Sequence, residues 1–294
     1  MTTHQTLLLN DGEAIPQLGL GVWKVSKVDA RLAVNHALRH GYRHIDTASI
    51  YGNEEGVGLG MQDAGLPRES VFITTKIWNA DQGYDSTLRA LEASLARLRL
   101  STVDLLLVHW PAPGLGKYID TWRALIEAQA QGKARSIGVS NFDESHLHTI
   151  INATGVKPAL NQIELHPLLQ QPCLRCAHAK LDIATQAWSP LSQGQTFNHP
   201  IVLGLAEKHW RTPAQIILRW HIQNGVIAIP KSITPARIEE NIQVFDFALD
   251  EQDMAAIASM NIDKRLGPDP LQFTFPAGWS EVCELAQRRA GNAG

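Results

Sequence analysis

The 294-residue chain carries 26 basic and 29 acidic residues, a formal net charge of −3, and 44% apolar side chains. It can bury a large core, and it has no basic block or aromatic-interleaved basic stripe, which argues against a nucleic-acid partner. The start, MTTHQTLLLNDGE, lacks a secretory n-region, no apolar run approaches the about 20 residues of a membrane helix, and three cysteines fit a reducing compartment, so a soluble cytoplasmic protein is expected.

In chain order, Leu7–Leu9, the turn Asn10-Asp11-Gly12 and Ala14–Ile15 predict a small β-hairpin, placed to cap one end of a larger sheet. Short β-rich apolar runs then alternate with segments of helical period. The strand-like runs are LGLGVW (18–23), YRHID (42–46), VFITTK (71–76), VDLLLVHW (103–110), ARSIGVS (134–140), ALNQIEL (159–165), DIATQAW (182–188) and VIAIP (226–230). In DSTLRALEASLARLRL (85–100), Leu88, Leu91, Leu95 and Leu98 recur at three- and four-residue steps and make one buried helical face. The interval 189–225 holds two helical stretches before the last strand, one of them an insertion. Eight strands, each followed by helical sequence, predict an α/β fold whose parallel sheet closes into a single (β/α)8 TIM barrel.

With no low-complexity linker and no composition break, residues 1–294 are expected to form one domain. A doubly wound open sheet is the structural alternative. It predicts a GxGxxG turn after the first strand, but Gly19-Leu20-Gly21-Val22-Trp23-Lys24 lacks the last glycine, GVGLG (56–60) does not match, and no GxxxxGK[ST] occurs. Any nucleotide is therefore held by something other than a Rossmann or Walker turn.

In a (β/α)8 barrel the reactive groups sit where strands end and the succeeding loops begin. The second run ends at Asp46 with Tyr51 in its loop, the third at Lys76 with Trp78 just after it, and the fourth at His109-Trp110. Farther on come Ser140-Asn141, Gln162 and Glu164, Trp188-Ser189 and Lys231-Ser232. Taken singly, Asp46 reads as a helix cap, Tyr51 as packing, Lys76 as a surface charge and His109 as a core histidine. Four ionisable groups at three consecutive strand ends point instead to chemistry. A lysine after Val-Phe-Ile-Thr-Thr needs an anionic partner, and Asp46 is the candidate. A cation beside Tyr51 would lower a phenol pKa that is ordinarily near 10, making a tuned proton donor, with His109 donating to a substrate oxygen. Carbonyl reduction needs this set, with hydride arriving from elsewhere.

Cys173 and Cys176 form a CxxC at a helix that Pro172 could start, but zinc would need two further ligands and Cys283 lies far along the chain, so no metal site is expected there.

These segments resemble the aldo-keto reductase family. GYRHIDTASIYGNEEGVG is similar to the family signature around its catalytic aspartate and tyrosine, ITTKIW to the stretch with its lysine, and LLLVHWP to the one with its histidine. IGVSNF, NQIELHP and AWSPLSQG resemble cofactor motifs, and IPKSITPARIEEN the segment that binds the adenosine phosphate. The similarity runs from about Leu7 to Arg265 in family order, and bacterial 2,5-diketo-D-gluconate reductases are the most similar members. The resemblance implies Tyr51 as proton donor, Lys76 and Asp46 as its tuning pair, and His109 as the group orienting the carbonyl. It implies NADPH as cofactor, with Ser140, Asn141 and Gln162 on the nicotinamide carboxamide, Trp188 stacked on the ring and Val22 beside it. Ser189, Leu191 and Gln193 would line the pyrophosphate, Lys231, Ser232 and Arg237 the 2′-phosphate, and Glu240 and Asn241 the adenine. Trp23, Trp78 and Trp110 would wall the substrate pocket, with Trp279 either beside them or in packing.

The loops after Pro111 and Leu191 are short, which implies an open pocket, and residues 266–294 align to no pattern and are expected to form a C-terminal loop over it. The implied activity is NADPH-dependent reduction of aldehydes and ketones, with diketogluconate and methylglyoxal both compatible, by a monomer. Two other classes compete: a non-catalytic nicotinamide sensor or assembly subunit on the same scaffold, and a metal-dependent barrel hydrolase using His109, His166 and Glu164. The hydrolase lacks an HxH pair.

Overall fold

The computed structural model describes residues 5–275. Its first elements are β1 (Thr6–Leu8) and β2 (Ala14–Pro16), an antiparallel hairpin in which Leu7 faces Ile15. Eight parallel strands come next: β3 (Leu20–Gly21), β4 (His44–Asp46), β5 (Phe72–Ile77), β6 (Val103–Val108), β7 (Ala134–Ser140), β8 (Leu160–Glu164), β9 (Ala184–Trp188) and β10 (Ile227–Ala228), each hydrogen-bonded to its successor. Parallel bridges Leu18–Ala228 and Gly21–Lys231 join the last strand to the first, so the sheet closes. The barrel and its hairpin are as the sequence predicts, and the open sheet is not formed.

The two seam strands are shorter than the apolar runs 18–23 and 226–230. Pro230 has no N–H with which to extend the ladder, and the seam is instead held by single bonds such as Gly19 N–H to the Ala228 carbonyl (2.9 Å) and Gly21 N–H to that of Pro230 (3.0 Å).

Helices α1 (Lys27–Arg39), α2 (Glu54–Ala64), α3 (Tyr84–Leu98), α4 (Tyr118–Ala130), α5 (Glu144–Thr154) and α6 (Pro172–Leu181) alternate with the strands. Both α7 (Pro200–His209) and α8 (Pro213–Gln223) lie between β9 and β10, as the two helical stretches of 189–225 predict, and α9 (Pro235–Asn241) and α10 (Glu251–Ala258) come last. Proline at the first turn of α6 to α9 costs no helical hydrogen bond, because those N–H groups have no intrahelical acceptor. On α3, Leu91, Leu95 and Leu98 are buried and Leu88 packs at the edge, and the helix ends where Arg99 turns left-handed (φ 60°). The glycines of GVGLG are a packing device. A Cβ at Gly56 would fall 2.1 Å from the Lys27 carbonyl oxygen, and one at Gly58 would fall 2.4 Å from that of Leu98, so α2 meets its neighbours backbone to backbone.

The hairpin covers the end of the barrel where the strands begin. Leu9 and Ile15 pack with Phe72, Leu105, Leu160 and Ile227, and Asn10 donates to the Pro158 (2.9 Å) and Asp182 (2.7 Å) carbonyls just ahead of β8 and β9. Trp279, Cys283 and the rest of 276–294 lie outside the described residues.

Candidate active site

The strand ends open into a cavity of about 860 Å³. Asp46 ends β4, Tyr51 sits in a short 3-10 turn (Ser49–Tyr51) after it, Lys76 is the penultimate residue of β5, and His109 comes directly after β6. Parallel register sets these neighbouring strand ends side by side, so residues far apart in sequence converge.

Lys76 is wholly buried. Its ammonium donates to Asp46 Oδ1 (2.5 Å) and to the Thr47 carbonyl (2.8 Å). The other carboxylate oxygen of Asp46 accepts from Gln162 Nε2 (2.7 Å), which also donates to Gln186 Oε1 (2.7 Å). Burial pushes the Lys76 ammonium down and the Asp46 carboxyl up, and each partner opposes the other's shift. The Lys76 Nζ lies 5.2 Å from the Tyr51 ring centroid.

One expectation is reversed here. Tyr51 is not pulled down by the cation; burial, and then the Asp46 carboxylate, raise it well above the ordinary phenol value. The physical reason is that Lys76 directs its charge at Asp46 and Thr47, leaving the enclosed phenol to the desolvation cost of its anion. Tyr51 therefore keeps its proton at neutral pH. Its hydroxyl, which borders the cavity, has no hydrogen-bond partner among the described residues.

His109 packs edge-on against Tyr51 (centroids 5.7 Å) and Trp78 (5.1 Å). Burial, then Lys76, hold it well below the ordinary imidazole value, so the ring is neutral. Its Nδ1 is buried without a partner, which suits a ring whose proton is on Nε2.

Beyond this group, Asn141 adopts a left-handed backbone (φ 64°). Its Nδ2 donates to the His109 carbonyl (2.9 Å), and its Oδ1 accepts from the Trp188 indole N–H (2.8 Å), fixing that ring across the cavity. Ser140 Oγ donates to the Gln162 carbonyl (2.9 Å). Ser189, Ser192 and Gln193 are also left-handed (φ 49°, 52° and 52°), so the loop after β9 curls tightly at the rim.

Of the residues singled out in the sequence, Asp46, Tyr51, His109, Ser140, Asn141, Gln162, Trp188, Ser189, Gln193, Lys231, Trp23, Trp78 and Trp110 line the cavity, and Lys76 lies directly behind it. Val22 does not: it is buried in the main core between two lining residues, Gly21 and Trp23. Leu191, Ser232, Arg237, Glu240 and Asn241 also lie off this cavity. Leu191 packs at the core edge, Glu240 accepts from Thr212 Oγ1 (2.7 Å), and Arg237 on α9 is exposed.

The expected C-terminal loop is present as far as it is described: Leu266, Gly267, Pro268, Phe273 and Phe275 line the cavity. Phe273 packs tilted against Trp110, with ring centroids 4.4 Å apart. What ties the segment down is Glu164, the fully buried last residue of β8. Its carboxylate accepts from the Leu266 N–H (2.6 Å) and the Gly267 N–H (3.0 Å), with Arg265 Nη1 at 3.5 Å and His166 Nε2 at 3.1 Å. These contacts hold the Glu164 carboxyl below its ordinary range despite burial. Gly267 is pressed against Trp188; a Cβ there would lie 2.4 Å from the indole. Sequence reasoning noted Glu164 but not this role. The available signal was the period-2 alternation of NQIEL, which turns Gln162 and Glu164 to the same face.

The strap also removes the metal-hydrolase alternative. Glu164 is committed to backbone N–H groups, and His109, His166 and Glu164 form no ligand cluster among the described residues.

A barrel whose strand ends hold an enclosed phenol, a neutral histidine and a buried Lys–Asp pair has the fold and site of a carbonyl-processing oxidoreductase. The profile of the aldo/keto reductase family matches residues 16–262, and the chain belongs to that family. It is 55% identical over 269 residues to an aldo-keto reductase of Mycolicibacterium smegmatis (92% of this chain, 98% of the relative). It is 51% identical over 275 residues to the methylglyoxal reductase DkgA of Yersinia pestis (93% and 99%). Among solved structures, a point mutant of Gox0644 in complex with NADPH superposes with a TM-score of 0.90 at 48% identity, covering 93% of this chain and 100% of that one.

Proposed function

We propose that the chain is a cytoplasmic, monomeric NADPH-dependent reductase of small aldehydes and ketones, with methylglyoxal-type dicarbonyls as substrates and 2,5-diketo-D-gluconate as a second candidate. The carrying observation is the protonated Tyr51 hydroxyl, free of any partner among the described residues, beside the buried Lys76–Asp46 pair and the neutral His109.

The residues present fit NADPH. Lys231 and Arg237 make no ion pair with any described carboxylate, which leaves two cations for a phosphate dianion. The Trp188 ring is fixed by its bond to Asn141 and borders the cavity as a flat apolar surface for a pyridine ring. When bound, the dihydronicotinamide supplies the hydride. The chain's own residues do the rest. His109 offers an Nε2–H to the carbonyl oxygen and so fixes which atom faces the phenol. Tyr51 passes its Oη proton to that oxygen, and because an alkoxide is a stronger base than a phenolate, the transfer runs downhill even from a phenol with a raised pKa. The Tyr51 phenolate left behind takes a proton back from water, which restores the donor for the next turnover. Trp23, Trp78, Trp110 and Phe273 exclude water from the reacting carbonyl.

Support for the dicarbonyl preference comes from the DkgA methylglyoxal reductases, which share about half of their residues with this chain. The test is steady-state consumption of NADPH and NADH with methylglyoxal, 2,5-diketo-D-gluconate and simple aldehydes. Turnover with NADPH is expected, and Arg237→Ala should raise KM for NADPH while leaving that for NADH nearly unchanged. Tight NADPH binding with no turnover on any carbonyl would overturn the proposal in favour of a nicotinamide sensor.

A further inference from the structure

On the outer face of the barrel, α1 ends in two histidines one turn apart. His36 lies in its last turn and His40 is its C-cap residue. Their rings stack with centroids 4.0 Å apart. Across from them α9 presents Glu239, whose Oε1 lies 2.8 Å from His36 Nε2 and 3.6 Å from His40 Nε2. One ligand atom from each of the three residues lies within 4.8 Å of the others, and no other such group of three occurs among the described residues.

We propose that His36, His40 and Glu239 form a site for a divalent transition-metal ion, with Zn²⁺ the best match. Tetrahedral zinc with bonds of roughly 2.0–2.2 Å sets its ligand atoms about 3.3 Å apart. The two separations from Glu239 bracket that value. His40 Nδ1 faces the His36 carbonyl at 2.8 Å. Only an N–H can make that contact, so the lone pair of the neutral ring is on Nε2, which points at the cluster. Side chains at i and i+4 share one helix face, so the backbone already sets the bite of the two imidazoles. Two imidazoles and one carboxylate suit Zn²⁺, Co²⁺ or Ni²⁺ and offer too few oxygens for Mg²⁺ or Ca²⁺. The three side chains are a quarter to just under half exposed, leaving the remaining coordination positions to water. A metal on His36 Nε2 takes that nitrogen's lone pair, so the proton that now joins it to Glu239 moves to Nδ1 of the same ring.

The consequence is mechanical. The ion would cross-link α1 to α9, adding to their apolar packing and to the hydrogen bond by which the Tyr42 hydroxyl, in the turn after α1, reaches the Ile238 carbonyl (3.2 Å).

Titration calorimetry with ZnCl₂ and thermal unfolding at matched metal concentrations test this on the full chain. The expected result is a site of micromolar affinity that raises Tm, is insensitive to Mg²⁺, and is weakened at least tenfold in His36→Gln, in His40→Gln and in Glu239→Gln, each variant keeping the wild-type Tm without metal. Because Cys173 and Cys176 are exposed thiols that also attract zinc, Co²⁺ serves as a second probe: a spectrum without a thiolate charge-transfer band assigns the ion to the histidines. Binding that survives His36→Gln and His40→Gln, or that vanishes in Cys173→Ser/Cys176→Ser, would overturn the proposal. None of these readouts depends on carbonyl reduction.

Discussion

At the hairpin-covered end of the barrel, Gln17 and His44 are buried with both side chains partnered. Gln17 Nε2 donates to the Ile222 (2.8 Å) and Val226 (3.3 Å) carbonyls, and His44 is held between the Pro16 carbonyl (3.3 Å) and Thr74 Oγ1 (3.2 Å). At the open end, the Tyr51 hydroxyl is without a partner among the described residues, and so is His109 Nδ1. Both ends use the same strands and the same kinds of residue. The difference teaches that stability comes from polar groups satisfied within the fold, and reactivity from those held in place but left for something else to satisfy.

The largest expected effect probes three neutral histidines buried in the folded interior. His44 and His221 are pushed down to about 3, and His178 to about 4, by burial. Their folded values lie below the unfolded value near 6.5, so their contribution is intact above that pH and is lost as pH falls, because only the unfolded chain takes up the protons. Between pH 6.5 and 5 each histidine should cost roughly 1.6 kcal/mol, about 5 kcal/mol for the three. Urea unfolding at the two pH values measures this, and an unchanged midpoint would break the contrast from the stable side.

Next comes Tyr51→Phe, which should lower kcat for carbonyl reduction by about 10²- to 10⁴-fold. Because the lost hydroxyl makes no internal hydrogen bond, Tm should stay at the wild-type value. A fall in Tm of many degrees would show that the group was structural after all.

The smallest effect concerns the strap, where a satisfied carboxylate serves the reactive end. Glu164→Gln offers one acceptor and one ill-matched N–H₂ to the Leu266 and Gly267 N–H groups. Carbonyl KM should rise about tenfold, with kcat changed much less, since a charge-assisted bond is lost at the loop and not at the reacting atoms. Equal falls in kcat and kcat/KM would place Glu164 in the chemistry itself and sharpen the division differently.

Much of this was legible in the sequence. Strand order, the hairpin, the double-helix insertion and the convergence of Asp46, Tyr51, Lys76 and His109 come from period and from the rule that strand ends share one face. The direction of the Tyr51 shift was not legible, because it depends on where the Lys76 ammonium points, and that is set by the Thr47 carbonyl and Asp46 together. Nor was the role of Glu164, whose partners are main-chain N–H groups about a hundred residues away in a segment without a motif. Val22 shows the limit at single-residue scale: Gly21 and Trp23 face the cavity while Val22, between them, faces the core.

The hairpin plug has one more consequence. With β1 and β2 packed over the base through Leu9 and Ile15, cofactor and carbonyl are left to share the one chamber at the strand ends, which Gln162, Asn141, Trp23 and Phe273 all line.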